Sequence, residues 1–78
     1  MPYIAIKTFP KDQAVKETVV ERINDLLLEV WGCRQEAITI SIEEVAPANW
    51  EEQVVKAEIE PNKAHMMMLS GKRCYKAE

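Results

Sequence analysis

The sequence predicts an α+β fold built on a β-α-β unit with parallel strands, and three observations carry that prediction. Residues 3–9 alternate with a period of two, Gln13 to Trp31 follow a helical period, and Ala37 to Val45 alternate again. A strand, a long amphipathic helix and a second strand make a crossover unit. Its two strands are expected to run parallel through a right-handed connection, with the helix on one face of the sheet.

In the first strand Ile4, Ile6 and Thr8 share one face, and Tyr3, Ala5, Lys7 and Phe9 share the other. Pro10 ends it, because proline brings no N–H to a ladder. Asp12 is the expected N-cap of the helix, where a carboxylate suits the positive end of the dipole. Val15, Val19, Ile23, Leu26, Leu27 and Val30 form the apolar stripe. Gly32 follows as the residue that turns left-handed at the helix end. In the second strand Ile38, Ile40 and Ile42 oppose Thr39, Ser41 and Glu43, and the isoleucine face is the one the helix should cover.

Beyond Pro47, Asn49 and Glu52 have the spacing of a capping box for a helix running to about Ile59. Pro61 begins a further turn or kinks that helix. Ala64 to Leu69 is read as helical and ended by Ser70-Gly71, and residues 72–78 as a basic tail with a short extended piece.

At 78 residues the chain is expected to be one domain, 1–78, near the size where a single core is marginal. A two-stranded sheet covered on one face is not stable alone in water. Oligomerisation is therefore expected to complete the core, as a homo-oligomer. A net charge of −3, with only Lys72, Arg73 and Lys76 clustered, argues against a nucleic-acid partner. No apolar tract reaches the roughly 18 residues of a membrane span, and no signal peptide is visible, so a cytoplasmic protein with free thiols at Cys33 and Cys74 is expected. His65 has no second ligand near it in sequence, so no metal site is expected.

The chemistry-bearing feature is Met1-Pro2. Removal of Met1 leaves Pro2 as a free cyclic secondary amine on the end of a rigid strand. Such an amine is a base without any neighbour's help. An ordinary α-amino group titrates near 8, and an apolar wall or a nearby cation lowers the value toward working pH.

With these elements in order, the chain resembles the 4-oxalocrotonate tautomerase family, most of all its PptA-type small tautomerases. The resemblance rests on Met-Pro before an apolar strand, the long helix, the strand Ala37–Val45, and the segments Phe9-Pro10-Lys11, Pro47-Ala48-Asn49-Trp50 and Ala57-Glu58-Ile59-Glu60-Pro61. It implies a cofactor-independent keto–enol tautomerase of 2-oxo or 2-hydroxy unsaturated or aryl-enol acids, oligomeric, with a dimer favoured over a hexamer. Pro2 is then the catalytic base, and Trp50 part of the apolar wall. Lys11 takes the place of the family's first-loop arginine, as a cation for a substrate carboxylate or a developing enolate oxygen. Thr39 stands where the parent enzyme has a second arginine, and it offers a hydroxyl instead. The reduced positive charge favours a monocarboxylate or an aryl enol such as phenylenolpyruvate over a dicarboxylate. Arg73 of a neighbouring copy is a further candidate for the site. The alternative reading is a non-enzymatic oligomeric module, binding small ligands or partners, that keeps the fold.

Overall fold

The computed structural model describes residues 1–77, which form two compact units, one from Met1 to Ala46 and one from Pro47 onward. The first is the expected β-α-β unit. Strands β1 (Tyr3–Thr8) and β2 (Thr39–Glu44) pair in parallel, in a register that sets Tyr3 opposite Thr39, Ile6 opposite Ile42 and Thr8 opposite Glu44. Paired residues of parallel strands share a face. Ile4, Ile6 and Thr8 therefore lie with Ile40, Ile42 and Glu44, while Tyr3, Ala5 and Lys7 lie with Thr39, Ser41 and Glu43.

Helix α1 (Gln13–Leu26) joins the strands and covers the isoleucine face, where Val15 and Val19 close over Ile6 and Ile42 around a cleft of about 120 Å³. Asp12 occupies the N-cap position with extended backbone, but its carboxylate makes no capping bond. Its carbonyl accepts the Lys16 N–H at 3.1 Å instead. The carboxylate that serves this end of the helix comes from β2, as described below.

The helix does not stop at Leu26. It widens into a π-helical turn, Leu27–Trp31, before Gly32 turns left-handed at φ 64°, as its place after the last apolar residue predicts. The Cys33 thiol then donates to the Leu27 carbonyl at 3.5 Å, tying the chain after Gly32 back to the last turn. Asn24 and Gln35 exchange amide hydrogen bonds at 3.1 and 2.7 Å and pin the returning chain to the helix. A 3₁₀ turn, Gln35–Ala37, precedes β2, so the strand begins two residues later than its apolar run suggests.

The second unit departs more from expectation. Pro47–Asn49 is a 3₁₀ turn, and Trp50, not Asn49, stands at the N-cap of the following helix with no side-chain capping bond. Glu52 is free of any capping box and pairs with Lys56 one turn on, at 3.1 Å. That helix, Glu51–Ile59, ends where predicted but is π-helical, closing with Glu60 N–H to Val55 carbonyl at 2.9 Å. Residues 64–69 are not helical throughout. After a short turn, Lys63–His65, strand β3 (Met68–Leu69) pairs antiparallel with β4 (Lys72–Arg73). The cause is the connecting dipeptide: Ser70 and Gly71 both take positive φ, 49° and 81°, which is the two-residue hairpin turn matched to strand twist.

The core is thin. Leu27, Val45 and Val54 are the buried hydrophobic side chains among the described residues, and none is fully enclosed. Val15, Val19, Leu26 and Val30, half of the predicted stripe and more, stay exposed, as does Tyr3 on the uncovered sheet face.

Candidate active site

Parallel pairing gives the small sheet two chemically different ends. At the end where both strands begin, Pro2 is buried while Met1 projects fully into solvent. The Pro2 carbonyl accepts the Thr39 N–H at 3.2 Å, which extends the ladder by one bond beyond Tyr3 and fixes Pro2 against the start of β2. Thr39 itself is exposed, opposite Tyr3 on the face the helix leaves open. Sequence reasoning named Pro2 and Thr39 separately, and the fold brings them together.

At the other end the strands finish beneath the start of α1. Here Glu44 Oε2 accepts the Lys11 backbone N–H at 3.0 Å and meets the Lys16 ammonium at 3.1 Å. The Lys11 amide first, and then Lys16, hold the Glu44 carboxyl below its ordinary range, since both favour the charged form. Lys11 and Lys16 also border the apolar cleft between helix and sheet. Lys11 is thus anchored beside Glu44, which pairs with Thr8 at the last rung of the ladder. Six residues of β1 lie between this point and Pro2, a span of roughly 20 Å. Within one chain the strand separates Lys11 from Pro2. A cation leaving the strand that Pro2 begins does not reach back to it.

Trp50 belongs to the second unit, half-buried at the start of its helix. Arg73 lies there too, exposed on β4. Among the described residues no group of three or more His, Cys, Asp or Glu comes together as a metal cluster would. Likewise no helix among them is long and apolar enough to cross a membrane.

Glu44 and Lys16 were not singled out by sequence reasoning. The signal was nonetheless present. Glu44 continues the alternation of Ile40 and Ile42 onto the helix-covered face, and a carboxylate ending an apolar face just where a helix begins is placed for that helix's N-terminal donors.

A short β-α-β chain with proline at the head of its first strand, tied to the second strand, has the arrangement expected of a tautomerase. Comparison with known proteins agrees. Residues 2–62 match the family model described as tautomerase enzyme, and the chain belongs to that family. It is also 27% identical over 77 residues to Tautomerase PptA of Pectobacterium atrosepticum, an alignment spanning 96% of this chain and 97% of that protein. Family membership supports a tautomerase-type isomerase function, and it gives no support to the non-enzymatic alternative.

Proposed function

We propose that the chain is a cofactor-independent keto–enol tautomerase of 2-oxo or 2-hydroxy unsaturated acids or aryl enols, with Pro2, exposed by removal of Met1, as the general base. The observation that carries the reading is the family match beginning at Pro2, on a residue that the fold buries at the head of the sheet. The free amine accepts the enol O–H proton, and the resulting ammonium returns it to carbon, so that the carbonyl forms and the base is regenerated. An apolar setting favours the neutral amine, the form that acts as a base. While Met1 is attached, the Pro2 nitrogen is an amide without a basic lone pair.

Thr39, whose N–H bonds the Pro2 carbonyl, offers a hydroxyl, and Trp50 is proposed, on its match to the family's Pro-x-x-Trp segment, as a substrate-binding aromatic. Lys11 binds the substrate carboxylate or the developing enolate oxygen. Because Lys11 and Pro2 of one chain sit at opposite ends of the sheet, the complete site draws Lys11 from a second copy. This fits a homo-oligomer, in our reading a cytoplasmic dimer rather than a hexamer. The exposed apolar residues of α1 and of the uncovered sheet face are surfaces available for its contacts. With one lysine in place of paired arginines, a monocarboxylate or aryl enol is the favoured substrate.

The test has two stages. Intact mass of the purified protein is expected to show loss of Met1, and ketonisation of phenylenolpyruvate, followed by absorbance, is expected to be catalysed. Full activity in Pro2→Ala, on protein lacking Met1, would overturn the mechanism.

A further inference from the structure

The loop between β1 and α1 carries Lys11, yet Phe9, Pro10, Lys11 and Asp12 contribute no regular secondary structure that would fix it. Asp12 makes no side-chain cap, and Pro10 has no N–H to give. A side chain from β2 adds a long-range tie to the loop. Glu44 Oε2 takes the Lys11 N–H at 3.0 Å, across 33 residues of sequence, and the same oxygen meets Lys16 Nζ at 3.1 Å on the first turns of α1. The Val45 N–H adds a backbone bond to Thr8 at 2.8 Å, so the strand end bearing Glu44 is itself tied to the strand end from which the loop departs. One carboxylate therefore links three elements: β2, the loop and the helix.

We infer that Glu44 is a positioning residue for Lys11, fixing the first loop so that the lysine is presented at a defined place at the tail of the sheet. The inference rests on the proposed role of Lys11 as the residue that binds substrate. Glu44 does not touch the substrate. It acts through the backbone of the residue that does. The two contacts differ in what they require: an amide oxygen can still accept the Lys11 N–H, but only a carboxylate also pairs with Lys16.

The experiment is a mutant cycle read by steady-state kinetics on phenylenolpyruvate and by amide hydrogen exchange at Lys11. Glu44→Ala is expected to raise KM roughly three- to tenfold with kcat within about twofold, the scale of one charge-assisted hydrogen bond at an exposed site. Glu44→Gln, which keeps the acceptor, is expected to recover most of that loss. In a Lys11→Ala background, Glu44→Ala is expected to change KM no further, because nothing remains to be positioned. An unchanged KM in Glu44→Ala, or an equal rise in the Lys11→Ala background, overturns the inference. If the unsubstituted protein turns over no enol substrate, it is the proposed function that fails. The exchange measurement then decides the positioning alone: faster Lys11 exchange in Glu44→Ala supports it, and equal exchange overturns it.

Discussion

The two ends of the parallel sheet make different uses of similar means. At the head, a backbone bond from Thr39 holds a buried proline. At the tail, a carboxylate gathers a backbone amide and an ammonium in an exposed setting. Burial marks the first end and charge organises the second. Under the proposed function the two settings suit different tasks: an apolar surround favours a neutral amine, and an exposed ion-paired surround keeps a lysine charged.

The largest expected effect separates the ends outright. Pro2→Ala is expected to lower kcat by about 10²-fold or more, the scale of losing a positioned general base, whereas Lys11→Ala should act mainly on KM by about tenfold. Equal effects of both on kcat would erase the distinction between a basic head and a binding tail. The next test mixes the two inactive or weakened chains. If each site takes Pro2 from one copy and Lys11 from the other, re-assembled Pro2→Ala and Lys11→Ala chains contain one intact site per mixed dimer. Random re-assembly should then restore about one quarter of full activity. No gain over the separate variants would return the site to a single chain.

A smaller effect is expected at Thr39. Thr39→Val keeps the N–H that binds the Pro2 carbonyl and removes only the hydroxyl, so activity should fall about two- to fivefold with no loss of thermal stability beyond a few degrees. The smallest effect belongs to pH at the tail. The Glu44 carboxyl is lowered in the folded chain, so its contribution is complete above the ordinary carboxylate value of about 4.3 and is lost as pH falls through the depressed one. A thermal-stability difference between the unsubstituted protein and Glu44→Gln should therefore be present at neutral pH and vanish on acidification. A difference that grows as pH falls would reverse the sign assigned here.

Much of the first unit is legible in the sequence because its signals are long and mutually consistent. Alternation in 3–9 and 37–45, an uninterrupted helical stripe and a terminal Gly32 all point to one arrangement, and the observed register pairs like faces. The second unit is less legible because its signals are short. Met66-Met67-Met68-Leu69 reads equally well as helix or strand, and the choice falls to Ser70-Gly71, whose positive φ values close a hairpin. Asn49 and Glu52 have capping-box spacing, yet the chain enters the helix one residue later, at Trp50, and Glu52 turns to Lys56. At the candidate site, Pro2 and Lys11 are visible as residue types. Their separation is legible as well, since a strand over residues 3–9 puts Pro2 at one end and Lys11 at the other. Glu44 was obscured because it is one of many carboxylates in the chain, and its partners, the Lys11 N–H and Lys16, lie 33 and 28 residues away in sequence.

Because β1 and β2 run the same way, the sheet is a directed object, with a head at Pro2 and a tail at Lys11. Direction decides which symmetries are useful. Two copies laid side by side in the same sense keep all heads together and all tails together, and no amount of stacking then joins a proline to a lysine. A twofold axis perpendicular to the strands reverses one copy, sets each head beside the other's tail, and does so twice in a single operation. Under the proposed two-copy site, one such rotation supplies what folding alone leaves about a strand's length apart.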